Sequence, residues 1–294
     1  MKPPAFEYSR PDSLDAALAL LAEHGPDGKV LAGGQSLIPL LSMRLAAPAR
    51  LIDINSLSEL DYVRTDPAGV RVGALARHSA VLSDRAAAGS QPLLAAALGW
   101  VAHPTIRNRG TSVGSIVHAD PAAELPAVLS VLAGSLTLAS VRGRRVVPAA
   151  ELFRGPLESC LAPDELAVEA FFPAPAERTG SAFAEVSRRQ GDYAVCGVAA
   201  VVGLDEDLRV SSARAGYLSV AGTPQVLDLT GPIAGRGYDA DLSAAAELAR
   251  SLLEPEADIH ASADYRSQLV EVLTRRMLAA AARSAAAGAL SGAA

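Results

Sequence analysis

Two short glycine-bearing loops carry the residues best suited to chemistry in this chain. The first, Ala32-Gly33-Gly34-Gln35-Ser36, lies between the apolar pair Val30-Leu31 and a helical run over 36–45. The second, Thr111-Ser112-Val113-Gly114-Ser115, follows about 80 residues later and leads into His118-Ala119-Asp120-Pro121-Ala122-Ala123-Glu124-Leu125-Pro126. Each loop combines small residues, which let a ligand approach the backbone, with hydroxyls and amide donors. A helix beginning at such a loop adds about half a positive charge, which favours phosphate. No lysine follows the glycines, so neither loop is a Walker A motif, and neither is GxGxxG. A single Gly-Gly-x-Ser turn is more often structural than phosphate-binding. Two in one chain point to a pyrophosphate held between two segments, as in a dinucleotide cofactor.

Carboxylates near a phosphate site can accept hydrogen bonds from vicinal ribose hydroxyls. Asp120 and Glu124 are placed for this, although Asp120 can instead cap a helix with Pro121 at its first position. Tyr193, in the turn Gly191-Asp192-Tyr193, can offer a flat face to a planar ring or serve as an ordinary core tyrosine. Arg107 and Arg109 can neutralise phosphate or pair with a partner subunit. His103 and His118 have no metal-type spacing, and Cys160 and Cys196 read as two free buried thiols of a reducing compartment. No nucleophilic triad or metal cluster emerges, so the sequence offers no catalytic residue and no metal ligand of its own.

The elements that must position these loops follow from hydrophobic period and punctuation. An amphipathic helix is expected over 13–24, capped by Asp12 or Ser13 and stopped by Gly25-Pro26. Strands are expected at 29–31, 50–54 and 70–74, the last half-exposed, with helices at 78–88 and 93–101. Strands at 136–141 and 144–147, joined by Arg142-Gly143, are followed by a strand at 165–172. Pro173-Ala174-Pro175-Ala176-Glu177 is the strongest linker signal and sets a domain boundary near 176. Beyond it, strands at 182–186, 195–204 and 210–220 form a three-stranded antiparallel sheet, followed by helices at 240–253 and 264–283. The alanine- and glycine-rich end is expected to fray.

The chain has 294 residues, 50% of them hydrophobic, and a formal net charge of −6, without any basic run. Nucleic-acid binding is therefore disfavoured. The N-terminal residues carry no signal-like apolar stretch, and Arg275, Arg276 and Arg283 interrupt the alanine-rich tail. Neither secretion nor a membrane span is expected, and a cytoplasmic location follows.

Several ordered motifs closely resemble the FAD-binding medium subunit of molybdenum hydroxylases, the carbon monoxide dehydrogenase and xanthine dehydrogenase group. They are Lys29 to Pro39, Arg107-Asn108-Arg109-Gly110-Thr111, Ala119 to Pro126, Glu185 to Ala194, and Asp258 to Arg266. The resemblance spans nearly the whole chain. It implies an α+β protein with a two-lobed FAD-binding region of the vanillyl-alcohol-oxidase (PCMH) type at 1–176, its lobes about 1–56 and 57–176. A small C-terminal α+β domain would span 177–286, leaving a disordered tail at 287–294. The implied cofactor is non-covalent FAD, its diphosphate held by Ala32, Gly33, Gly34, Gln35, Ser36 and Leu37, after Leu31, and by Thr111, Gly114 and Ser115. Glu124 would take the adenosine ribose, with Asp120 also counted among the cofactor contacts. Leu161 would lie near the adenine or flavin, and Tyr193 against the isoalloxazine.

The implied activity is electron transfer within an oxidoreductase. An iron–sulfur small subunit and a molybdenum large subunit would be its partners in a heterotrimer, and a dimer of heterotrimers is the assembly the resemblance implies. Electrons would pass through FAD to an external acceptor. A stand-alone FAD-dependent oxidoreductase or flavin-binding protein is the alternative. Val113 stands where the family commonly has glycine; if that position needs positive φ, valine there would crowd the phosphate.

Overall fold

The computed structural model describes residues 2–292. The first lobe is a parallel three-stranded sheet in which Arg50–Asp53 lies between Glu7–Ser9 and Gly28–Leu31. Helix Leu14–His24 crosses over it and buries Ala17, Leu18 and Leu21. Ser13 caps this helix by accepting from the amide of Ala16, which selects Ser13 over Asp12.

The second lobe is an antiparallel five-stranded sheet ordered Val63–Asp66, Gly69–Gly73, Leu166–Pro173, Ser135–Ser140, Gly143–Pro148. Strand Gly69–Gly73 is nearly all buried rather than half-exposed, because it is an inner strand beneath helices. The helix expected over 78–88 is two helices, His78–Ser83 and Arg85–Ser90. They break at Asp84, whose carboxylate turns to accept from the amide of Ala87 at 2.9 Å. A short hairpin, Phe153–Gly155 with Glu158–Ser159, escaped the sequence reading.

The C-terminal sheet has four antiparallel strands, not three: Thr179–Ser187, Ala194–Leu204, Val210–Leu218 and Gln225–Asp228. The fourth is a four-residue edge strand, too short to stand out as a period-2 run. One face of this sheet packs on helices Pro92–Leu98 and Glu124–Val131 of the second lobe. The other face is covered by helices Ser243–Leu252 and Ala263–Gly292. Strand Ala194–Leu204, caught between, is buried along almost its whole length.

The tail expected to be disordered from 287 is helical as far as Gly292. Earlier in the same helix Ala281, Ala282, Ala285 and Ala286 are buried against the sheet; Ala293 and Ala294 lie outside the described residues. The helix backbone comes so close that a Cβ on Gly180 would meet the Ala281 carbonyl oxygen at 2.2 Å. Small residues at 281–286 are what this approach requires.

Candidate functional site

The first loop joins strand Gly28–Leu31 to helix Leu37–Ser42. Gly34 has φ +73, a left-handed conformation that glycine takes without steric cost. The Gln35 side chain folds back and donates to the Gly33 carbonyl at 3.2 Å. Among the described residues, no backbone acceptor takes up the amides of Gly34, Gln35 and Ser36. With the amide of Leu37, which likewise meets no backbone acceptor, they form an unfilled set of donors; the Ile38 amide is already taken by the Gly34 carbonyl at 2.9 Å.

The second loop is a helix N-terminus rather than a glycine turn. Thr111 caps helix Ser112–His118, its hydroxyl accepting from the amide of Gly114 at 3.2 Å. Val113 therefore lies in ordinary helical backbone, with its side chain in the hydrophobic core. The expected need for positive φ at this position is corrected: valine there is a core residue and imposes no backbone strain. Asp120 accepts from the amide of Ala122 at 2.9 Å, closing a local turn. The next helix starts only at Glu124, so Asp120 does not cap it.

Gly33 lets the two loops touch. A Cβ there would stand 2.5 Å from the Arg109 carbonyl oxygen, 2.7 Å from Gly110 Cα and 3.0 Å from the Thr111 amide nitrogen. Behind this contact lies a polar clamp the sequence did not announce. Asn55 donates to the Ala32 carbonyl at 2.8 Å, and Arg77 donates to Asn55 Oδ1 at 2.7 Å and to the Arg109 carbonyl at 2.6 Å. Two side chains thereby fix one loop against the other. His78 adds a backbone bond, its amide to the Gly110 carbonyl at 3.0 Å. Its buried ring pairs with the Ser112 hydroxyl at 3.3 Å and is pushed down to about 4 by burial, so it stays neutral.

The loops open on a cleft of about 1650 Å³. That exceeds the roughly 300–1,000 Å³ of a drug-sized ligand pocket and suits an extended dinucleotide. Ala32, Gly33, Gly34, Gln35, Ser36 and Leu37 line it from one side; Thr111, Gly114, Ser115, Asp120 and Glu124 from the other. Leu161 and Tyr193 complete the wall. Leu31 is the exception: it supports the loop from behind, its Cδ1 3.2 Å from where a Gly34 Cβ would be. Arg107 is turned away, donating to the carbonyls of Val101 and Ala102 at 2.7 and 3.0 Å.

Tyr193 is 70% exposed, so it is not the core tyrosine its type would suggest. Glu124 is buried at the first turn of its helix, and burial pushes its carboxyl up to about 7. Behind it, on strand Thr179–Ser187, Glu185 is buried with Oε2 lacking any hydrogen-bond partner. Burial, then the neighbouring Glu124, pushes Glu185 up to about 8. A cleft with free amides at one end, an acceptor carboxyl on its wall and an exposed aromatic ring fits FAD.

Comparison with known proteins agrees with this geometry. Residues 4–175 match the family model described as FAD binding domain in molybdopterin dehydrogenase, and residues 181–281 match the CO dehydrogenase flavoprotein C-terminal domain. The 6-hydroxypseudooxynicotine dehydrogenase complex subunit alpha of Paenarthrobacter nicotinovorans is 41% identical over 95% of each chain. The caffeine dehydrogenase subunit beta of Pseudomonas sp. (strain CBB1) is 42% identical over 96% of each. Among solved structures, a chain of quinoline 2-oxidoreductase from Pseudomonas putida 86 superposes with TM-score 0.92 at 36% identity, covering 97% of this chain and 99% of that one. With the loops, the cleft and both family models in agreement, this chain belongs to the family of FAD-binding medium subunits of molybdopterin dehydrogenases.

Proposed function

We propose that this chain is the FAD-binding electron-transfer subunit of a molybdenum-containing dehydrogenase or hydroxylase. In this reading it works beside an iron–sulfur small subunit and a molybdenum large subunit. The observation that carries it is the backbone contact at Gly33, which brings two sets of donors to one cleft. Ala32 to Leu37 and Thr111, Gly114 and Ser115 would hold the diphosphate, Glu124 the ribose, and Leu161 and Tyr193 the ring systems, with Asp120 beside them. When bound, FAD supplies two-electron storage with one-electron exchange, which couples iron–sulfur relays to a two-electron acceptor. The chain's own part is to bind, orient and exclude water; no acid or base of this chain is assigned to substrate hydroxylation.

The reading divides the chain near residue 176, with units at 1–176 and 177–286. The matched ranges and the change from one sheet to the next support that division. A cytoplasmic location goes with it, supported by two buried, unpaired cysteines. None of the described helices is long and apolar enough to cross a membrane. The stand-alone alternative draws no support from the relatives named above, which are called subunits of dehydrogenases. The test is to purify the full chain, add FAD and desalt, then co-express it with an iron–sulfur small subunit and a molybdenum large subunit from the same organism. A flavin spectrum that survives desalting, and a complex carrying iron and molybdenum, are expected. A colourless chain that also fails to gain flavin in the assembled complex would refute the reading.

A further inference from the structure

Strand Val210–Leu218 runs into Ser219, whose backbone is left-handed at φ +60. A serine holds that conformation only where its surroundings over-determine it, and such residues gather at functional sites. Three hydrogen bonds leave Ser219 toward three separate segments. Its amide donates to the Pro121 carbonyl at 2.8 Å. Its hydroxyl donates to the Ala194 carbonyl at 2.6 Å, and its own carbonyl accepts from Arg266 Nη1 at 2.6 Å. Pro121 belongs to the segment after the second loop, Ala194 directly follows Tyr193, and Arg266 lies on the long C-terminal helix. All four residues line the cleft.

Arg266 is buried, paired with Asp258 at 2.6 Å, and its Nε has no partner. A buried guanidinium with an unpaired N–H is a costly way to fill space, and an apolar residue would pack there more favourably. Its remaining contact is the one that holds Ser219. The Gly191-Tyr193 loop has a second support at its other end. Gly191, at φ +85, lies so near the His103 ring that a Cβ would be 2.5 Å from Cε1.

We infer that Ser219, held in its left-handed conformation by Arg266, is a positioning residue that sets Tyr193 against the Asp120–Glu124 segment. It thereby fixes the ring end of the cleft. The inference rests on the FAD reading and acts only through Tyr193.

The test uses the full chain stripped of flavin, with FAD titrated by fluorescence and visible spectrum, and the flavin-free melting temperature measured alongside. Ser219→Gly keeps the left-handed backbone and removes the hydroxyl alone. It is expected to melt within about 2 °C of wild type yet bind FAD about tenfold more weakly, the worth of one buried hydrogen bond. Its flavin spectrum should shift in the direction seen for Tyr193→Ala. The double variant should bind no more weakly than the weaker single, since both act on one contact. Arg266→Lys, which keeps a donor toward the Ser219 carbonyl, should stay nearer to wild-type affinity than Arg266→Gln. Wild-type affinity and spectrum in Ser219→Gly, or losses that add in full to those of Tyr193→Ala, would overturn the inference while leaving the FAD reading intact. A wild-type chain that takes up no FAD, alone or in its complex, refutes that reading itself.

Discussion

Replacing Gly33 by alanine tests whether the two loops must touch. The added Cβ would meet three backbone atoms at 2.5, 2.7 and 3.0 Å, none of which can swing aside. To reach the 3.4 Å where ordinary contact begins, the Arg109 carbonyl must retreat by about 0.9 Å. That carbonyl is tied to Arg77 at 2.6 Å, and its neighbour Gly110 to the His78 amide at 3.0 Å. Stretching either bond by this much takes it beyond useful range. Overpacking costs about 1–3 kcal/mol and one lost hydrogen bond roughly another 1 kcal/mol, so the change is worth about 2–4 kcal/mol. Taken wholly from binding, that weakens FAD by roughly 30- to 700-fold. Titration of the deflavinated full chain gives the binding share, and urea unfolding without FAD gives the stability share. Gly89→Ala is the control. Its Cβ would meet nothing within 4 Å, in helix Arg85–Ser90, so stability should rise by about 0.5–1 kcal/mol with affinity unchanged. Should Gly33→Ala match wild type in both FAD affinity and urea midpoint, the loops do not need this contact and the reasoning fails.

Other expectations follow from the same contacts. Asn55→Ala and Arg77→Ala each break the clamp between the loops and should weaken FAD about tenfold. The double variant should be little worse than Arg77→Ala, and fully additive losses would show that the two side chains act separately. Glu185 is raised from 4.5 to about 8, so the folded chain holds this proton more tightly than the unfolded one. Its contribution to stability therefore falls as pH rises from 4.5 toward about 8 and stays lost above. Glu185→Gln removes that loss, so its urea midpoint should gain on wild type between pH 6 and 8.5 (values chosen as about the span of the titration); parallel curves would dismiss the buried charge. Tyr193→Ala should leave the flavin-free melting temperature unchanged, because the ring is exposed, but alter the bound flavin spectrum. An unaltered spectrum would remove Tyr193 from the cofactor's surroundings.

Much of the fold was legible where local physics dominates. Helix Leu14–His24 has a serine cap and an apolar stripe, and Gly143 marks the tight turn between Ser135–Ser140 and Gly143–Pro148. The failures have two causes, one local and one distant. Asp84 breaks a helix by reaching forward to a backbone amide, which hydrophobic period does not register. Gln225–Asp228 is a strand because its neighbour offers an edge, and the C-terminal helix approaches the sheet at Ala281 and Ala285 because a glycine there admits it. The last two depend on partners distant in sequence.

The candidate site divides in the same way. Two small-residue loops, their hydroxyls and the acidic residue that follows are local signals, so the amino-acid sequence by itself determined which family the chain resembles and which segments are proposed to hold its cofactor. Only the tertiary structure decided how they meet. It put Gly33 against Gly110, made Val113 a core residue, and left Leu31 behind the cleft. It also recruited Asn55, Arg77, Ser219 and Arg266, whose types carry no local signature of a role. Their effect lies in hydrogen bonds across 22 to 98 positions of chain, from Arg77–Asn55 to Ser219–Pro121, and geometry over such separations is set by packing of the whole core, not by the neighbours of any one residue.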